Sequence, residues 1–245
     1  YVGADDMNST MNIVHTYQSG LGMGDRDYYL ENDENTKNIR DKYKEHIVKM
    51  FRLAGFDEAH SNNAKEAIIN IEIRMSQAAR SREDLRDPYA NYNKFTITEL
   101  KDKFPSFDWD TYLSAYGFKD LNEINVGQPE GIQEMINIIN QIPLYQQIAY
   151  LQWNLISEAA SYLSDDLVNE QFDFFGKTMS GRQELRPRWK RAVSVVDNSL
   201  GEAVGQMYVE KHFPPAAKER MLTLVKNLQT ALSERIQGLD WMSAE

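Results

Sequence analysis

From residue 35 onward the apolar residues recur at helical spacing, and this constrains the fold more than any other feature. Ile39, Tyr43, Ile47, Met50, Phe51 and Ala54 fall at i, i+4, i+8 and i+11, which places them on one face of a helix over residues 35–54. Gly55 stands where a C′ glycine ends a helix, and Phe56 supplies the apolar residue that follows it. A second helix is predicted over 58–83, with Ile68, Ile71, Met75 and Ala78 on one side. Thr96 and Glu99 have capping-box spacing and start a short helix that ends at Phe104-Pro105. Asp108 caps another, carrying Trp109, Tyr112, Leu113 and Tyr116 and stopped by Gly117. Pro129 opens a helix to about Gln141, and Pro143 forces a break. Beyond it the pattern predicts a long aromatic-rich helical region over about 144–176, then two long helices over about 186–211 and 215–237.

Strand signals are confined to small pieces. Asn12 to Tyr17 mixes β-branched and aromatic residues, and Asp5 to Asn8 supplies turn chemistry, so residues 1–18 are predicted to form a β-hairpin. Gly20, Gly22 and Gly24 then open a loop, and Glu123 to Val126 reads as a further short strand. The fold class expected is mainly α: a multi-helix lobe over residues 1–245 with a small hairpin at its N-terminal end.

Composition removes several functions. The net charge of −10 argues against a nucleic-acid partner, because neutralising phosphates needs clustered Lys and Arg. With no cysteine, disulfides, thiolate nucleophiles and Cys-ligated zinc are excluded. No stretch approaches the ~18 consecutive apolar residues of a membrane helix. The chain starts at Tyr1 and ends on Leu239-Asp-Trp-Met-Ser-Ala-Glu245, an apolar pair with nothing after it; both ends are read as cuts in a longer chain.

Residue patterns for catalysis are missing. His15, His46, His60 and His212 never pair at i, i+4, so there is no HExxH, and each alone is better explained as a structural or surface histidine. There is no GxSxG elbow around Ser180. The carboxylate pairs Asp5-Asp6, Glu83-Asp84 and Asp165-Asp166 are explained by turns and caps, and the three loop glycines are not followed by Lys-Ser or Lys-Thr. Arg182, Arg186, Arg188, Lys190 and Arg191 either grip a peptide carboxylate or form a solvated helix start. Asn8-Ser-Thr10 is formally a glycosylation acceptor.

Several runs, taken together, resemble the neprilysin and endothelin-converting-enzyme family of zinc metalloendopeptidases. Tyr1-Val-Gly-Ala-Asp-Asp-Met-Asn-Ser9 resembles that family's strand-turn segment. Gln18-Ser-Gly-Leu-Gly-Met-Gly-Asp-Arg-Asp-Tyr-Tyr29 resembles its Gln-x-Gly-Leu-Gly-Leu-Pro-x-Arg-Asp-Tyr-Tyr signature, with Met23-Gly24 in place of Leu-Pro. Arg86 to Asn93, Leu200 to Val209, His212 to Pro215 and Leu239 to Ser243 resemble later family segments in the same order.

The resemblance implies a zinc metalloendopeptidase of short peptides, exported, periplasmic or held at the cell envelope. This chain would be its non-catalytic helical lobe, facing a catalytic domain that follows Glu245 and carries the zinc. The fragment itself would bind no zinc and have no activity. Arg86 and Asn93 become candidates for lining the substrate cavity. Asp25, Arg26, Asp27, Tyr28, Tyr29 and Trp241 are family-signature positions read as structural: Asp27 capping the next turn, Arg26 pairing with a carboxylate, the tyrosines burying their rings, and Trp241 packing against the missing domain. The alternative from a different class is a stand-alone peptide-binding or scaffold module without catalysis.

Overall fold

The structure, a computed structural model, describes residues 1–241 and is mainly α, with ten α-helices and a four-stranded sheet among them. Residues 1–185 form one compact unit and the stretch from Arg186 onward another.

In the first unit the hairpin is present but not alone. β1 (Val2–Asp5) pairs antiparallel with β2 (Asn8–Thr16), with Val2 opposite Val14. The short strand foreseen near residue 124 is β4 (Glu123–Val126), which lies parallel to β2 with Val14 opposite Ile124. A strand that the sequence did not announce, β3 (Lys94–Thr96), closes the far edge antiparallel to β4 and gives the order β1-β2-β4-β3. Three residues are too few to show an alternating pattern, so β3 is set by its partner rather than by its own sequence.

The helices of this unit are α1 (Asp27–Leu30), α2 (Glu34–Leu53), α3 (Glu58–Ala78), α4 (Ile97–Lys103), α5 (Trp109–Ala115), α6 (Pro129–Gln141), α7 (Leu144–Ala159) and α8 (Asp165–Gln171). Their starts follow local chemistry. Asp33, Asp57 and Asp108 accept from the backbone N–H groups of Thr36, His60 and Thr111, and Thr96 and Glu99 complete both halves of a capping box. Gly55 takes the left-handed backbone (φ 96°) that ends α2.

Two helices differ from expectation. α3 stops at Ala78 rather than near 83, because the Gln18 carboxamide brackets the next turn, accepting from Arg80 N–H (2.7 Å) and donating to Arg80 C=O (3.1 Å). The helical region expected over 144–176 is present but divided: α7 ends in a 3-10 turn (Ala160–Tyr162), Leu163 is extended, and α8 runs into a π-helical stretch (Phe172–Met179). Apolar periodicity cannot see such breaks, since both halves keep the helical period.

Two main cores result. Tyr43, Ile47, Met50, Phe51, Ile68 and Trp153 centre the one between α2, α3 and α7. Val14, Leu100, Phe104, Trp109, Ile124 and Ile136 centre the other, between the sheet and α4, α5 and α6. At about 25 cal/mol per Å² of apolar area, these clusters are the main stabilising term of the unit.

The second unit holds α9 (Arg188–His212) and α10 (Pro215–Gln237). α9 is kinked at Leu200 (φ −130°, ψ 17°), just before Gly201. Neither helix has a buried residue. Trp241 is exposed, and Met242 to Ser243 of the last resembling segment lie outside the described residues.

Candidate functional site

The glycine-rich signature folds over a buried carboxylate. Glu72, on α3, has no solvent exposure and no cation beside it. Its Oε1 accepts from Gly22 N–H (3.1 Å) and from the Tyr43 hydroxyl (3.1 Å), and its Oε2 accepts from the Tyr29 hydroxyl (2.9 Å). Trp153 Nε1 donates to Tyr43 Oη (3.0 Å), and Met23 N–H donates to Tyr29 Oη (3.0 Å). Burial pushes the Glu72 carboxyl up to about 7, against the hydrogen bonds from Tyr29, Gly22 and Tyr43, which pull it down. Burial also raises both tyrosines, so their hydroxyls stay protonated and donate. Gly22 is obligatory here: a Cβ would lie 1.8 Å from Tyr43 Oη and 2.9 Å from Glu72 Oε1.

The rest of the signature is held from α3 and its exit. Asp25 is buried, and its Oδ1 accepts from Asp27 N–H (2.9 Å), so the capping carboxylate is that of Asp25 and not of Asp27. Its Oδ2 pairs with Arg82. Arg26 donates to Ala79 C=O (2.6 Å), while its Nε, 3.9 Å from Asp27 Oδ1, is too far for a hydrogen bond and has no other partner. Tyr28 is partly buried against the first core and Tyr29 fully buried within it.

A second polar network pins the loop before β3. Arg80 reaches Glu130, Ala90 C=O (2.7 Å), Asn91 Oδ1 (3.2 Å) and Gly127 C=O (3.2 Å). Buried Gln128 donates to Asn91 Oδ1 (2.6 Å) and accepts from Gln18 N–H (2.8 Å). Asn93 donates through Nδ2 to Ala90 C=O (3.0 Å) and Gly127 C=O (3.2 Å), while its N–H donates to Asn125 Oδ1 (2.7 Å). Arg86 is exposed on the same loop. Arg80, Gln128 and Asn93 each satisfy backbone groups of this loop or its neighbours.

These elements border one concavity of about 860 Å³. His15 on β2, with Tyr1 and Tyr17 at the strand ends, contributes a cluster of three near-parallel rings with centroids 5.0, 5.8 and 6.1 Å apart. The start of α5 contributes Phe107, Trp109 and Tyr112, and α6 contributes Ile132, Met135 and Ile139. Arg26, Arg80 and Arg82 supply the charge. Of the expected site residues, Asp25 and Arg26 border this groove; Arg86, Asn93, Asp27, Tyr28, Tyr29 and Trp241 do not. The sequence reading missed Glu72, Arg80 and Trp109. A carboxylate at i+4 from Ile68, inside an apolar stripe, was the legible sign of Glu72.

The described residues do not fit a zinc site. No three His, Asp or Glu converge among them. His15 is buried between Ala4 C=O (3.1 Å) and Asn125 (3.2 Å), and His46 is buried on Glu170 (3.0 Å). His60 stacks on Phe56 and His212 packs on Tyr208.

A mainly helical body joined to this small mixed sheet is the architecture of the first part of large metallopeptidases of known structure. The chain superposes on the Mycobacterium tuberculosis zinc metalloprotease Zmp1 in complex with inhibitor with a TM-score of 0.87 and 36% identity, covering 100% of this chain and 37% of that one. PepO from Lactobacillus rhamnosis shares the fold, with a TM-score of 0.80 at 18% identity over 100% of this chain and 39% of that chain. Endothelin-converting enzyme 1 of Homo sapiens is 30% identical over 250 residues, 100% of this chain and 32% of that protein. Neprilysin-11 of Caenorhabditis elegans is 27% identical over 259 residues, again 100% of this chain and 30% of that protein. The N-terminal model of peptidase family M13 matches residues 1–245, and the chain belongs to that family. It spans about a third of the length of the curated relatives it matches.

Proposed function

We propose that the whole protein is a zinc-dependent endopeptidase of short peptides, and that these residues form its non-catalytic helical lobe. The observation that carries this reading is the end-to-end match of this chain to one third of the zinc metalloprotease Zmp1 and of endothelin-converting enzyme 1. The zinc ligands and the base that works with them are assigned to the rest of the polypeptide. The lobe's part is to enclose the peptide, keep bulk water out and limit substrate size, with Arg86 and Asn93 among the candidate cavity residues. Asp25 to Tyr29 and Trp241 serve structure in this reading. Among the described residues no helix is long and apolar enough to cross a membrane. The assignment to an exported or envelope-bound enzyme rests on the resemblance of the signature segments.

The test is cleavage of an internally quenched peptide by the full-length protein. The expected result is hydrolysis that a chelator abolishes and added zinc restores. Hydrolysis indifferent to the chelator overturns the reading.

A further inference from the structure

We propose that Glu72 works as a proton-operated latch on the glycine loop over 20–24: with its proton it holds the loop closed, and when the proton leaves, the loop opens and lets water reach the carboxylate. The inference concerns the first unit alone and stands apart from the peptidase reading.

The surroundings of this carboxylate single it out. Glu72 lies on α3 with no solvent exposure. The groups facing it are neutral: Tyr29 from α1, Tyr43 from α2, Gly22 N–H from the loop, and Tyr150 from α7, which feels its charge. Burial raises all three tyrosines, so their hydroxyls keep their protons well past neutral pH.

The two protonation states make different demands. Protonated, Glu72 is neutral, and its O–H meets an acceptor in the Tyr29 oxygen at 2.9 Å or the Tyr43 oxygen at 3.1 Å, one tyrosine hydroxyl turning to suit. Ionised, it keeps three donors, but a full charge then sits in the core without a counter-ion. Burial outweighs the hydrogen bonds from Tyr29, Gly22 and Tyr43, and the carboxyl rises to about 7. Water is the partner that remains for the ion.

The loop is the part of the shell built to give way. Glu72 and Tyr43 are fixed on the long helices α3 and α2, whereas residues 20–24 form no helix or strand. Gly20 and Gly24 bracket the segment, both with left-handed backbone (φ 93° and 79°). Its long-range hydrogen bonds are Tyr150 Oη to Gly20 C=O (2.6 Å), Gly22 N–H to Glu72 and Met23 N–H to Tyr29 Oη. The last two end on Glu72 or on the hydroxyl bonded to it, so the proton acts on them directly. Opening lifts Met23 from the first core, which makes the open state a minor one whose population the latch sets. Gly20, Leu21 and Gly24 also border the concavity, so the latch governs how firmly one of its walls is held.

The experiment is amide hydrogen exchange of the full-length protein, read by mass spectrometry at residue resolution at pH 5 and pH 8, each rate divided by the chemical exchange rate at that pH. An open loop leaves Glu72 in water near its ordinary 4.5, while the closed loop holds it near 7. Protection at Gly22 and Met23 should therefore fall by more than about tenfold from pH 5 to pH 8. Low urea should leave exchange at these two amides unchanged and speed it at Ile47 and Met50 of α2, which report global unfolding. Glu72→Gln should remove the pH dependence at Gly22 and Met23. Protection there that is equal at both pH values, that follows α2 under urea, or that keeps its pH dependence in Glu72→Gln overturns the proposal. If that variant does not fold, the wild-type pH and urea profiles still carry the test.

Discussion

The Tyr29 hydroxyl donates to Glu72 Oε2 at 2.9 Å and joins the end of the signature segment to the middle of α3, 43 residues away. The same oxygen accepts from Met23 N–H at 3.0 Å, so one side chain closes the loop onto the helix in both directions. This relationship links Gly22 to the Asp-Tyr-Tyr run: the glycine lets the backbone approach the carboxylate, and the second tyrosine completes its shell.

Glu72 makes stability depend on pH in a particular direction. Its carboxyl is raised from an ordinary 4.5 to about 7, chiefly by burial, so the folded protein holds a proton that the unfolded chain releases. The stabilisation is complete below pH 4.5 and is lost as pH rises through 7. The full loss is on the order of 3 kcal/mol, at about 1.4 kcal/mol per tenfold in proton affinity. Glu72→Gln cannot titrate. Thermal melts of wild type and variant at pH 5 and pH 8 should show the variant gaining on wild type at pH 8. A stability difference that is the same at both pH values would contradict this account.

Gly22→Ala should destabilise by more than about 3 kcal/mol, because the new methyl must displace the Tyr43 hydroxyl from a packed, buried network. Gly24→Ala is the comparison. Gly24, unlike Gly22, has a positive φ of 79°, but open space surrounds its Cβ direction, so the cost is confined to backbone strain of about 1 kcal/mol. Urea midpoints of the two variants check the order, and equal shifts would refute the steric explanation.

Tyr29→Phe removes a donor to Glu72 and strands Met23 N–H in the core, which predicts a loss of about 1–3 kcal/mol. A variant that folds with wild-type stability would show that the network is less tightly satisfied than its geometry indicates.

Arg80→Ala removes the bonds from Arg80 to Glu130, Ala90 C=O, Asn91 and Gly127 C=O. The loop over 84–93 should lose its protection, while α2 and α3 keep theirs. Hydrogen exchange at Asn91 and Tyr92 reads the change directly, and unaltered exchange there would separate Arg80 from the loop's order.

Legibility in the sequence followed how local each cause was. Caps at Asp33, Asp57, Thr96 and Asp108 depend on residues three positions apart, and those at Thr96 and Asp108 were read from spacing alone. The turn at Gly55 and the buried face of α2 were equally local. Beyond the hairpin, β4 was legible as a strand but its pairing was not, because β2 and β4 meet across more than a hundred residues and three-residue β3 has no pattern of its own. The early stop of α3 depends on Gln18, sixty-two residues upstream of Arg80. The groove was hidden for the same reason: its residues come from the sheet, α3, α5 and α6, and no single stretch carries its chemistry.

The most direct measurement is peptide hydrolysis by residues 1–245 alone beside the full-length protein, both supplied with zinc, with circular dichroism confirming that the shorter chain is helical. The account predicts chelator-sensitive cleavage by the full-length protein and none by residues 1–245. Chelator-sensitive cleavage by the helical shorter chain would contradict it, because the zinc site would then have to lie within these residues.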